Sequence, residues 1–236
     1  MAFQEDGSIK SSERNKMTNT VMTTETMQLF NADYKEILQQ GVQGDLLIID
    51  PPYNINIDDA DWDADFDYEE LFGVLKSILA KKGSVLLFNS PQNLILLTQL
   101  IEQFDFELQD LILWQKPNVI PRYIRTRGYT TKAREYIFYF THKGATPYFK
   151  LAPFESYHDG VYKYPRVTSN DRRHVCQKPL PLIDDLILRH SQLDDLVIDL
   201  FLGSGVSALS AQKLRRRFIG YEQDENTFKK ILGVLT

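Results

Sequence analysis

The sequence predicts an α/β fold, a mostly parallel seven-stranded sheet with helices on both faces. Three observations point there. Short apolar runs of strand length alternate with helix-length amphipathic stretches. One such run, Leu46-Leu47-Ile48-Ile49, ends directly in Asp50-Pro51-Pro52-Tyr53. Another, opening at Val197, ends in the glycine-rich turn Phe201-Leu202-Gly203-Ser204-Gly205. Open α/β sheets hold ligands just beyond the carboxyl ends of their strands, where both motifs fall.

The first 26 residues are polar, contain several methionines and lack the apolar core of a signal peptide, so they read as a flexible tail or an upstream start before a single domain over 27–236. Strands are expected at Met27–Phe30, Leu46–Asp50, Val85–Phe88, Leu111–Trp114, Tyr136–Thr141, Val197–Phe201 and Phe218–Tyr221. Helices are expected at Asp33–Gln39, Tyr68–Lys81, Pro91–Gln103, Leu180–His190, Val206–Arg216 and Asp224–Leu235, where apolar residues recur at helical spacing.

The Asp50–Tyr53 tetrapeptide has a specific chemistry. Two prolines fix φ twice and remove two N–H donors, leaving rigidly aimed carbonyl acceptors beside a carboxylate. A carboxylate oxygen and a prolyl carbonyl can each accept one hydrogen of an aromatic amine, and Tyr53 offers a face on which a flat base can stack. Near the other end, Gly203 and Gly205 would let a ligand approach the backbone, and Glu222, closing the Phe218–Tyr221 strand, is placed to accept from ribose hydroxyls. Gly203-x-Gly205-x-x-Ala208 also satisfies a dinucleotide fingerprint, but the fourteen residues after Glu222 suffice for one helix and not for further strand–helix pairs. The sheet must be completed by earlier residues, which makes this a permuted nucleoside-binding fold.

From about Met27 onward the chain resembles the S-adenosylmethionine-dependent DNA amino-methyltransferases of the β arrangement, bacterial or phage, in which DPPY precedes FxGxG. The resemblance is carried by Asp50-Pro51-Pro52-Tyr53, by Phe201-Leu202-Gly203-Ser204-Gly205, and by His174-Val175-Cys176-Gln177-Lys178-Pro179. Trp114-Gln115-Lys116 and Glu135-Tyr136-Ile137 match its W-x-K and E-x-I segments. It implies a circularly permuted Rossmann-like methyltransferase fold with S-adenosylmethionine as cofactor and DNA as partner. Asp50, Pro51, Pro52 and Tyr53 would be catalytic. Asp33, Lys178, Asp199, Phe201, Gly203, Gly205 and Glu222 would bind cofactor, Asp33 toward its adenine or else as a helix N-cap, and Lys178 toward its carboxylate or else near the helix opening at Leu180. An aspartate opening the clamp implies adenine N6; cytosine N4, or a catalytically silent nucleic-acid-binding subunit, are the alternatives. Dimers are common in the group, and both restriction-modification and phage settings are compatible with it.

Composition agrees. A length of 236 residues with 43% hydrophobic content supports one sizeable core, and no run of about eighteen apolar residues could span a membrane. The single cysteine, Cys176, excludes an internal disulfide and a cysteine metal cluster, which suits a cytoplasmic protein. It also lacks the preceding proline of cytosine-C5 nucleophiles, so direct methyl transfer is expected. Net charge is −5, yet residues 114–173 hold twelve Lys or Arg against four Asp or Glu, +8 locally against −13 elsewhere. This basic segment, about 115–173, reads as the target-recognition region, with Lys116, Arg122, Arg125, Arg127, Arg166, Arg172 and Arg173 as candidate DNA contacts, interleaved with tyrosines. The acidic stretch 58–70 follows the calcium-loop spacing from Asp59 to Glu70 but has Ala64 in place of the turn glycine; no metal is expected, and it reads as a loop over the site.

Overall fold

The computed structural model describes residues 20–55, 65–119, 133–168 and 177–235. In chain order these form β1 (Thr20–Thr23), β2 (Met27–Phe30), a 3-10 helix (Tyr34–Gln40), β3 (Gly44–Ile49), α1 (Tyr68–Ile78) and β4 (Leu79–Asn89). A short 3-10 turn (Pro91–Asn93), α2 (Leu94–Gln103), β5 (Phe106–Gln115), β6 (Arg134–His142), β7 (Val161–Lys163) and α3 (Leu180–His190) follow. The chain closes with β8 (Leu196–Asp199), α4 (Val206–Lys213), β9 (Arg217–Tyr221) and α5 (Glu225–Leu235).

The strands make one sheet in the order β1-β2-β9-β8-β3-β4-β6-β5-β7. From β2 to β4 every pairing is parallel, and β5 and β7 also pair parallel; β1 and β6 run antiparallel to their neighbours. Alternation along each strand splits the core into two layers. Leu47, Ile49, Val85, Leu87, Phe138 and Phe140 face α1, α2 and the first 3-10 helix. Leu46, Ile48, Leu86, Phe88, Ile137 and Tyr139 face α3, α4 and α5. Such near-continuous apolar strands are what burial on both faces demands.

All seven expected strands are present, and the expected permuted α/β architecture holds with two additions. β1 lies inside the stretch read as a tail, and its pairing with β2 extends the sheet back to Thr20. β7 lies inside the basic segment. The first helix is 3-10, and α1 stops at Ile78 rather than Lys81 because Leu79 already pairs with Gly44 of β3. A β-carbon on Gly83 would lie 2.9 Å from the Gly44 carbonyl, so the opening of β4 depends on close backbone approach.

Candidate active site

β3 and β8 are parallel neighbours from which the chain proceeds outward in opposite directions, to β4 on one side and β9 on the other. Their carboxyl ends flank a topological switch point, where such sheets form a ligand crevice. Asp50 follows β3 at this point, and Asp199 closes β8 beside it.

Asp50 is held from both sides. Tyr53 donates its hydroxyl to Oδ1 at 2.7 Å, and the Lys178 ammonium meets Oδ2 at 2.6 Å. Lys178 also reaches Glu135 Oε1 at 2.8 Å, while Glu135 Oε2 receives Lys116 at 2.6 Å. Burial pulls the Lys178 ammonium toward neutrality, but Asp50 and Glu135 outweigh it and hold its pKa above the ordinary lysine value. Likewise, burial pushes the Glu135 carboxyl up, and the two lysines overcome this to hold it well below the usual carboxylate range. The Tyr53 phenol is pushed well above its usual value, by burial first and by the two carboxylates second.

A second set of bonds fixes the clamp's backbone. Tyr68, opening α1, donates to the Pro52 carbonyl at 2.6 Å; the buried Asn89 at the end of β4 donates to the Tyr68 hydroxyl at 2.7 Å. Asn93 donates to the Tyr53 carbonyl and to Asn89 Oδ1, both at 2.7 Å. Among the described residues no donor reaches the Pro51 carbonyl, the acceptor adjacent to Asp50. Asn54, with φ of 54°, uses its side-chain amide to pair both backbone groups of Phe66, tying the clamp to the residues just before α1.

The glycine turn lies across the crevice. Gly203 and Gly205 have φ of 51° and 74°, conformations that favour glycine. At Gly205 a β-carbon would lie 2.8 Å from Ile231 Cγ2 of α5. Glu222 accepts from the Gly203 amide at 2.9 Å through Oε2 and from the Asp224 amide at 2.9 Å through Oε1. Each oxygen retains a lone pair, so this carboxylate can still accept from ribose hydroxyls. Phe201 packs on Tyr34 and Phe66, with ring centroids 5.1 and 5.5 Å apart.

The other candidates take the partners that follow, Asp33 in its N-cap alternative. Lys178, expected toward the cofactor's carboxylate or near the helix opening at Leu180, pairs with Asp50 and Glu135. Asp33 caps the first 3-10 helix, accepting from the Lys35 amide at 2.9 Å. Asp199 accepts from the Phe201 amide and from the Ser207 hydroxyl, so its carboxylate shapes the turn from within; burial raises its pKa to about 7 in spite of those donors. Lys116 buries its ammonium against Glu135 and over the Trp114 ring, 4.4 Å from its centroid, and does not face outward as a DNA contact would. Arg166 is exposed. Arg122, Arg125, Arg127, Arg172, Arg173, His174, Cys176 and most of the acidic stretch lie outside the described residues. Among the described residues no cluster of three acidic, histidine or cysteine ligands could hold a metal. Roles for Glu135, Tyr68, Asn89 and Asn93 escaped the sequence, although a polar Asn89 closing an apolar strand is a signal that could have been read.

Comparison with known proteins gives the arrangement a lineage. Type II methyltransferase M2.MboI of Moraxella bovis is 24% identical over 209 residues, 76% of each chain. The solved structure of an M1.HpyAVI-SAM complex is 28% identical, with TM-score 0.74, covering 88% of this chain and 99% of that one. The cytosine-N4-specific PvuII DNA methyltransferase shares the fold at TM-score 0.75 with 18% identity, covering 92% of this chain and 89% of that one. A family model described as DNA methylase matches residues 44–232, spanning both motifs and every strand from β3 to β9, and the chain belongs to that N6/N4 DNA methylase family.

Proposed function

We propose that this chain transfers the methyl group of S-adenosylmethionine to the N6 amine of adenine in DNA. The observation that carries this is Asp50, a carboxylate fixed at both oxygens at the switch point, next to a Pro51 carbonyl that no donor among the described residues reaches. Each Asp50 oxygen keeps a second acceptor site, so an incoming amine can donate one hydrogen to Asp50 and the other to Pro51 without displacing Tyr53 or Lys178. Acceptance of both hydrogens localises the nitrogen lone pair, which in a free adenine is delocalised into the ring. The cofactor's sulfonium supplies an electrophilic methyl and a neutral leaving group. Orientation of the amine, with no covalent intermediate, provides most of the acceleration.

The target base must leave the helix to reach Asp50, which costs a few kcal/mol, and stacking on the Tyr53 ring offsets part of it. Glu222 is the proposed ribose acceptor, with Phe201, Gly203 and Gly205 shaping the cofactor site. The exposed Arg166 is the proposed phosphate contact on described backbone. The similarity to a protein solved with SAM supports the cofactor, and the aspartate opening the clamp supports adenine. The type II designation of the curated relatives supports a modification-methyltransferase role.

The test is incubation of the protein with unmethylated DNA and methyl-labelled S-adenosylmethionine, followed by digestion to nucleosides and mass spectrometry. N6-methyladenine is the expected product. Label on cytosine N4 would overturn the base assignment, and absence of label in DNA would overturn the activity.

A further inference from the structure

We infer that Glu135 is a positioning residue of the catalytic clamp, acting with Lys178 to aim the Asp50 carboxylate through a continuous chain of alternating charges. The chain runs Lys116, Glu135, Lys178, Asp50, with contacts of 2.6, 2.8 and 2.6 Å. Side-chain exposures of 15%, 13%, 9% and 24% along it leave little room for water to substitute for any member. Two ammonium groups and two carboxylates balance. The Tyr53 hydroxyl lies 2.7 Å from Asp50 Oδ1 and 3.0 Å from Glu135 Oε1, and its single hydrogen serves one carboxylate at a time. The two carboxylates therefore share two donors, Tyr53 and Lys178, and the state of either bears on the other.

Charged or titratable groups reach the clamp from several elements, the Tyr68 phenol of α1 among them, while β4 brings the neutral Asn89. Asp50 and Tyr53 follow β3, Lys116 follows β5, Glu135 lies in β6, Lys178 precedes α3, and Asp199 closes β8, where the field of Asp50 helps to raise its carboxyl. If Lys178 loses its charge, Glu135 and Asp50 flank the Tyr53 hydroxyl with no ammonium between them. Two like charges so placed take up a proton as a pair at higher pH. A proton held there occupies an acceptor that the substrate amine needs.

The experiment is the pH profile of kcat for Lys178→Met and for Lys178→Met/Glu135→Gln, alongside the Kd for S-adenosylmethionine. Lys178→Met is expected to move the acidic limb to higher pH by about one unit or more, about a tenfold rate loss at a fixed pH below the limb. Adding Glu135→Gln removes the competing carboxylate and is expected to bring the limb back, with cofactor affinity unchanged throughout. An unmoved limb in Lys178→Met, a limb that stays displaced in the double variant, or a loss confined to cofactor affinity would each overturn the inference. Should Lys178→Met fail to fold, Lys116→Met withdraws the outer ammonium of the same chain and is expected to move the limb the same way by less; no movement overturns it equally. The inference rests on Asp50 as amine acceptor, and carbon-13 NMR titration of the side-chain carboxyls separates the two. Coupled titration of the pair in a protein that methylates nothing would sink the proposed reaction alone, and independent titration in an active enzyme would sink this inference alone.

Discussion

Asp50 and Asp199 stand at the ends of adjacent parallel strands and yet have opposite surroundings. Asp50 meets a cation and a phenol at the crevice, whereas Asp199 is almost fully buried with only neutral donors. Asp50→Ala removes one of the two amine acceptors and leaves the glycine turn untouched. By analogy with deleting one preorganised hydrogen-bonding group from an enzyme site, it is expected to lower kcat by roughly 10²–10³-fold with little change in cofactor affinity; single-turnover methylation and equilibrium binding check the two halves. Asp199 yields a stability prediction. Its folded pKa, near 7, is above the ordinary carboxylate value, so the native state binds the proton more tightly than the unfolded chain. The associated stability is fully present below the unfolded pKa, near 4, and is lost as pH rises through about 7, at up to about 1.4 kcal/mol per pH unit. Asp199→Asn keeps an acceptor for the Phe201 amide and cannot titrate. Thermal midpoints across pH 4–8 should fall less steeply for the variant than for the parent, and parallel curves would refute the assignment.

At the scale of elements, the turn after β8 depends on a glycine that α5 will not let grow. Gly205→Ala meets both a φ of 74° and a contact of 2.8 Å with Ile231, and is expected to cost roughly 2–4 kcal/mol and to weaken cofactor binding, as measured by thermal unfolding and titration. That turn was legible in the sequence because its requirements are local: a strand, two glycines and a helix within a dozen residues. The clamp was legible for the same reason. Its charge partners were not, since Glu135 is 82 residues from Tyr53 and Lys178 is 128 residues from Asp50. Lysines are ordinarily surface residues, and only the pairing of strands distant in sequence shows that these two are enclosed. The missed strands have a related cause. β1 has four residues and β7 three, both at sheet edges, and the register of β7 is set by β5, which pairs Leu113 with Val161, while just beyond β7 the Trp114 indole donates to the Tyr164 carbonyl at 2.8 Å.

Across the whole molecule, strand direction collects the chemistry on one edge. β3, β4, β5 and β7 point the same way because β6 is antiparallel to both β4 and β5. Asp50, Asn89, Gln115 and Lys163 therefore lie toward the same edge, and antiparallel β6 begins there, which is how Glu135 enters the clamp. The basic segment leaves β5 and β7 at this edge, and the Asn118 side chain bridges its two arms by pairing both backbone groups of Arg166 at 2.9 Å. Among the described residues, Lys163 ending β7 and the exposed Arg166 carry positive charge at this edge, on the side from which a phosphate backbone would bring a base to Asp50 in the proposed reaction. The prediction separates the exposed cation from the enclosed one. Arg166→Ala should weaken DNA binding and reduce the slope of log affinity against log salt by about 1, because one phosphate contact and its released counterion are lost. Lys116→Met should leave that slope unchanged, since its ammonium already neutralises Glu135 and has no phosphate to neutralise. Fluorescence anisotropy with a short duplex across a salt series measures both. Equal slopes for Arg166→Ala and the parent would exclude Arg166 from the DNA contact, and a reduced slope for Lys116→Met would mean that the charge chain opens when DNA binds.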